Sequence, residues 1–159
     1  MAKTIEQLLA ESEIKDIQMR YCHAADRRDF ALMRECFHPD ASTEFGTFAG
    51  GVDDFIAAGI ETLKAFSVTQ HMTGNQLVRL DGDSAWAEHY AIATHRIPEG
   101  DGEPERDFVC GIRYVDRVER RDGEWRIARR EMNLDWSRID AIDHGLTTPR
   151  LRAVDDAPA

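Results

Sequence analysis

The chain has 159 residues, the length of one domain, and a second core of ordinary size does not fit within it. Its 42% hydrophobic and 31% charged residues exclude a disordered acidic chain, and its formal charge of −10 argues against nucleic acid and anionic membranes as partners. A small neutral or apolar molecule is the partner class that remains.

Cys22, Cys36 and Cys110 are far apart, with no C-x-x-C pair and no histidine at zinc-finger distance, so each is read as a small buried hydrophobe. The opening MAKTIEQLLAESEIKD lacks the apolar run of a secretory signal, and no window approaches the roughly 20 apolar residues of a membrane span. The expected location is the cytoplasm.

From Ile5 to about Ala25, Ile5, Leu8, Leu9, Ile14, Ile17 and Tyr21 recur at helical spacing, with Ser12 as a candidate break. Asp29 is a candidate N-cap for a short second helix holding Phe30, Met33 and Phe37, which His38-Pro39-Asp40 should end. Ser42 to Phe48 reads as a short strand pair or turn, punctuated by Gly50-Gly51. A third helix follows, with Asp53 and Asp54 in its first turn and Ile56, Ile60 and Leu63 on its apolar stripe.

The pattern then changes to alternation. Val68–Leu80 and Ser84–Ile97 flank Asp81-Gly82-Asp83, a strong hairpin signal. Pro98 to Glu105 is a loop by composition, and Arg106–Arg120 and Glu124–Asp135 form a second long hairpin around Arg121-Asp122-Gly123. Strands this long imply strong curvature. Three helices followed by a curled antiparallel sheet make an α+β fold shaped as a cone, which leaves an apolar pocket at its wide end. Residues 1–140 form this domain, and 141–159 read as a tail.

Asp26 lies four residues after Cys22 and seven after Met19, on an apolar side of the first helix near its C-terminus. Strict alternation in T-Q-H-M-T-G-N puts His71, Thr73 and Asn75 on one strand face. A histidine titrates near neutrality and beside a carboxylate serves as general base or acid. His89 and His95 share a face of the next strand with Ala91 and Ala93 between them, which leaves room for a ligand. Tyr21, Tyr114, Trp136 and Arg138 complete the candidate pocket: the tyrosines as donors to a substrate oxygen, the tryptophan as a wall. No metal-ligand spacing, Walker A, G-x-S-x-G or G-x-G-x-x-G is present.

Four segments taken together resemble a known family: Y-C-H-A-A-D-R-R-D-F, T-Q-H-M-T-G-N, H-Y-A-I-A-T-H and R-R-D-G-E-W-R-I. They are similar to the SnoaL-like branch of the NTF2-like superfamily, with its cystatin-like fold, and within it to the scytalone dehydratase and hexachlorocyclohexane dehydrochlorinase group. The resemblance covers about Glu6 to Arg138. It implies that Asp26 orients and charges His71, that His71 removes a proton, and that His95 helps a leaving oxygen depart. It also implies a lyase or isomerase that needs neither metal nor organic cofactor and assembles as a homo-oligomer, dimer or trimer. Ala25 stands where the scytalone dehydratase branch has a tyrosine, and Tyr114 falls near its pocket asparagine, so the donor set differs. Two alternatives stay open: a non-catalytic ligand-binding or scaffold protein, and an epoxide hydrolase or polyketide cyclase, for which Arg113 and Arg129 are available.

Overall fold

The computed structural model describes residues 2–142. Helix α1 (Ile5–Arg27) starts in a capping box: the Thr4 hydroxyl accepts the Gln7 backbone N–H, and the Gln7 side chain accepts that of Thr4. It runs unbroken through Ser12, because one helix-neutral serine is outweighed by the buried stripe of Ile14, Ile17, Tyr21, Cys22 and Ala25. It ends at Arg28, in the left-handed conformation with φ 57°. Asp29 then caps α2 (Phe30–Glu35) by accepting the Leu32 N–H, as its position predicts.

His38-Pro39-Asp40 does not close α2; it lies inside strand β1 (Phe37–Phe45), where the His38 ring is hydrogen-bonded to the Glu119 carbonyl. A turn through Gly46 leads to β2 (Phe48–Gly51) and then to α3 (Val52–Leu63). The four long strands are β3 (Val68–Asp81), β4 (Ser84–Ile97), β5 (Arg106–Arg121) and β6 (Glu124–Ala141). Gly82 and Gly123 supply the positive φ that the two hairpin turns demand. Of the tail assigned to 141–159, Ala141 is the last residue of β6, and everything after 142 lies outside the described residues.

The strands form one unclosed, strongly curved sheet in the order β2-β1-β6-β5-β4-β3. It is mixed, not wholly antiparallel: β1 pairs in parallel with β6. That pairing joins segments about half a chain length apart and has no turn between them to announce it. Bulges between Thr73 and Gln76, Gly111 and Ile112, and Arg117 and Val118 bend the ladder.

The inner face of the sheet is built in rows. His71, Ala93 and Cys110 form one; Thr73, Ala91, Ile112 and Leu134 the next; Gln76, His89, Tyr114, Met132 and Phe45 a third. Deeper still, Ala87, Asp116, Arg130 and Thr43 align. Ala85, Ala87, Ala91 and Ala93 keep β4 low enough for α1, which packs chiefly on β3, to lie over it. Helix α3 instead packs on α2, β1 and β2 and stands off the long strands. The space between is the cavity. No described helix is long and apolar enough to cross a membrane, and the three cysteines are free and buried, as expected.

Candidate active site

The C-terminal turn of α1 and the start of β3 bring Asp26 and His71 together. The His71 Nδ1 lies 2.7 Å from Asp26 Oδ1, and the His71 backbone N–H donates to Oδ2 at 2.9 Å. An ionised carboxylate only accepts, so Nδ1 carries the hydrogen and Nε2 keeps its lone pair. The bidentate grip on ring and backbone fixes the imidazole on its strand.

The two partners face different spaces. His71, its side chain 7% exposed, lines an apolar cavity of about 370 Å³. Asp26, 21% exposed, lines a polar surface cleft with His23, Arg28 and Thr69. The dyad therefore spans the wall between an apolar cavity and the outer surface, with the carboxylate on the polar side.

The cavity is aromatic. Phe45, Phe48 and Phe55 line it from the β1–β2 hairpin and α3, Phe66 and Phe108 line it near the dyad, and Tyr21 and Tyr114 line its floor. Burial pushes the Tyr21 hydroxyl up to about 12, the Tyr114 hydroxyl well above its usual value and the Cys110 thiol upward, so these groups stay neutral. His95 joins His71 here, ring centroids 5.6 Å apart and planes at 87°, with Phe66 4.8 Å away on its other flank. Burial, and secondarily the charge of His71, push His95 down to about 4, so at neutral pH it is an uncharged imidazole. Its Nδ1 is buried with no hydrogen-bond partner.

Asp26, His71, His95, Tyr21 and Tyr114 thus converge on one region, whereas His89, Trp136 and Arg138 do not reach the cavity. His89 points inward as alternation requires, but its ring stacks on Tyr114 at 4.6 Å and Tyr114 occupies the cavity wall instead. Trp136 and Arg138 are turned outward by the bulge near Gly111: Ile112 pairs with Leu134, but Gly111 pairs with Trp136, so one extra residue flips the face. The Trp136 indole covers Gly111, where a Cβ would collide with its ring nitrogen, and Arg138 lies over the indole at 5.2 Å. The bulge in β3 likewise moves Gln76, not Asn75, inward, where it donates to Gln18. Arg113 and Arg129 are engaged outside, with Glu88 and Asp135 and with Glu44 and Glu131 respectively.

Sequence reasoning missed Arg130 and Asp116, fully buried and joined by two 2.7 Å hydrogen bonds. The Arg130 guanidinium lies 4.1 Å from the Tyr21 ring centre and 4.7 Å from that of Tyr114, behind the floor of the cavity. Burial alone would lower the Arg130 pKa, but the Asp116 carboxylate outweighs it and holds the guanidinium charged. The available signal was parity: Asp116 falls between Tyr114 and Val118 on the inward face of β5. Among the described residues no cluster of three His, Cys, Asp or Glu suits a metal ion.

His89 makes the fold acid-sensitive. Burial, and secondarily Arg130, push it down to about 2, and neither ring nitrogen has a partner. Both His89 and His95 bind protons more readily unfolded than folded, so their contribution is complete above about pH 6.5 and is lost as pH falls toward their folded values. Each steepens the loss by up to about 1.4 kcal/mol per pH unit. Urea unfolding at pH 7, 6 and 5 should show this slope, and His89→Phe, which keeps the stack on Tyr114, should lose one histidine's share of it.

The model of the SnoaL-like domain matches residues 6–131 of the chain. An uncharacterized protein of Mycobacterium tuberculosis is 29% identical over 131 residues, spanning 80% of this chain and 86% of the relative. A crystal structure of a hexachlorocyclohexane dehydrochlorinase of type 2 superposes with a TM-score of 0.78 at 16% identity, covering 92% of this chain and 99% of that one. A putative scytalone dehydratase from Novosphingobium aromaticivorans gives 0.74 at 21% identity, over 92% and 97%. At these identities the two structures establish a shared fold.

Proposed function

This chain belongs to the SnoaL-like domain family, and we propose that it is a cofactor-independent lyase or isomerase acting on a small, largely apolar cyclic or polyketide-like substrate. The observation that carries the reading is the Asp26–His71 hydrogen bond, with His71 set in the wall of an aromatic cavity. A lone imidazole in such a wall would be a poor acceptor of charge; the adjacent carboxylate stabilises the imidazolium that forms when Nε2 takes a proton.

The chemistry follows from the lining. His71 Nε2 removes a proton from a carbon next to an activating group, and the C–H electron pair becomes a new double bond. A β-leaving group departs with its bonding pair, and hydroxide leaves as water by taking a proton from the His71 imidazolium. His95, neutral at working pH, donates a hydrogen bond to the departing oxygen. Return of the proton to a different carbon gives isomerisation instead. Among the described residues no Lys, Arg, Asp or Glu lines the cavity, which favours a substrate without net charge.

The similarity to a dehydrochlorinase and to a putative scytalone dehydratase supports elimination as the reaction type. The test is a panel of hydroxy-ketones, halogenated rings and epoxides, with products followed by mass spectrometry. Loss of water or hydrogen halide, or positional isomerisation, is expected. Ring opening confined to epoxides would replace this reading with a hydrolase, and binding without turnover would replace it with a ligand carrier.

A further inference from the structure

We propose that Arg28 is a positioning residue that holds the roof of the cavity in place. The roof is α3 and the turn after it, and its C-terminal half is weakly held. Of the α3 residues only Val52 and Ile56, both in the first half, are buried, and beneath the remainder lies the cavity. The next backbone anchor is the Ser67 N–H, which donates to the Arg96 carbonyl at 2.9 Å. Between Ile56 and Ser67 the side-chain tie from outside the helix comes from Arg28, whose Nη2 donates to the Leu63 carbonyl at 3.2 Å and to the Phe66 carbonyl at 2.5 Å. These are carbonyls at and just past a helix C-terminus, where the helix itself supplies no partner.

The backbone at Arg28 sharpens the assignment. Its φ of 57° is the left-handed C-cap conformation that glycine adopts freely and other residues adopt at a cost. An arginine there is disfavoured by its backbone, so its side chain must offset that cost, and the two carbonyl bonds are what the side chain makes. The consequence reaches the reacting region. Holding the Phe66 carbonyl holds the backbone that carries the Phe66 ring, whose centre lies 4.8 Å from that of His95, itself 5.6 Å from that of His71. One end of α1 thereby acts on the site twice: Asp26 orients the base directly, and two residues on, Arg28 holds the segment whose Phe66 ring packs on His95.

Arg28→Gly separates this role from general stability, because glycine relieves the backbone while deleting the bonds. The full chain carrying Arg28→Gly should melt no lower than wild type. Its amides from Gly59 to Phe66 should exchange hydrogen about tenfold faster, the effect of losing one or two solvent-accessible hydrogen bonds, while those of β4 and β5 stay unchanged. The His95 ring protons should lose the ring-current shift that Phe66 imposes. Arg28→Lys, which keeps one charged nitrogen as donor but on a shorter side chain with a different donor geometry, should fall between the two. Unchanged exchange in α3, or faster exchange spread over the whole molecule with a lowered melting temperature, would overturn the proposal.

The kinetic arm alone rests on the lyase reading: with a panel compound that is turned over, Arg28→Gly should raise KM by about tenfold and lower kcat much less. A fall confined to kcat, with KM unchanged, would also count against a role in closing the cavity. Absence of turnover across the panel would remove the lyase reading, and hydrogen exchange with the His95 shift would still decide the role of Arg28.

Discussion

His71→Ala and Asp26→Asn should each lower kcat/KM on a turned-over substrate by about 10²–10⁴-fold, the usual scale of one general-base contribution. The reasons differ. His71→Ala removes the cavity-wall imidazole that has a carboxylate behind it. Asp26→Asn keeps the shape but offers one acceptor oxygen where two are used, one by the ring Nδ1–H and one by the His71 backbone N–H. If the amide oxygen stays with the backbone, the amide nitrogen faces Nδ1 and favours the tautomer with its hydrogen on Nε2, the atom that must accept the proton. Steady-state kinetics, with circular dichroism to show that each variant remains folded, is the check. Full activity in either variant would remove the pair from the mechanism.

The legible parts of this molecule are those with local signals. Asp29 marked the start of α2, the Asp-Gly and Gly turns marked both long hairpins, and β4 was bounded at Ser84 by the Asp-Gly turn and at Ile97 by the loop that Pro98 opens. A strand reads clearly when one face is buried, and from Ser84 to Ala93 β4 alternates buried residues, four of them alanines, with more accessible ones. Pairing that depends on distant segments left no such mark. Thr43 and Arg130 are neighbours across the parallel β1–β6 ladder, 87 positions apart, and neither side of that contact contains a turn. For the same reason β6 continues past Asp135 to Ala141: its partner is the start of β5, not anything adjacent to it.

At the site, the residue types were legible and their side of the wall was not. Helical spacing brought Asp26 to β3 but did not reveal that its carboxylate would look into an outer cleft while His71 alone met the cavity. Parity failed wherever a bulge intervened. Strict alternation from Leu134 puts Trp136 in the cavity, and one inserted residue turns it and Arg138 to the outside. Sequence alone does not place a bulge, because the inserted residue is chosen by the partner strand. His89 failed differently: it faces inward as alternation requires, yet Tyr114, beside it in the ladder and larger, takes the wall.

Asp116→Asn or Arg130→Met should each destabilise the fold by about 3–5 kcal/mol, the cost of leaving one charge of a buried pair unpaired. Both side chains are fully buried, and the guanidinium is boxed by Tyr21, Tyr114 and Phe37, so water cannot replace a lost partner. One guanidinium nitrogen, Nη1, already has no acceptor, which leaves no slack for a second unsatisfied group. Against a total stability of about 5–15 kcal/mol, either single change should leave a marginal fold. Replacing both charges, as Asp116→Leu with Arg130→Met, should recover most of the loss, because the desolvation cost of the pair disappears with the pair and methionine can refill the space between the rings. Urea unfolding of the two singles and the double measures the coupling directly. Singles within about 1 kcal/mol of wild type would mean that the pair is hydrated in solution. If the double variant regains its stability but its tyrosines move, then Arg130 sets the floor of the cavity as well as the stability of the core, and turnover should fall in a protein that unfolds normally.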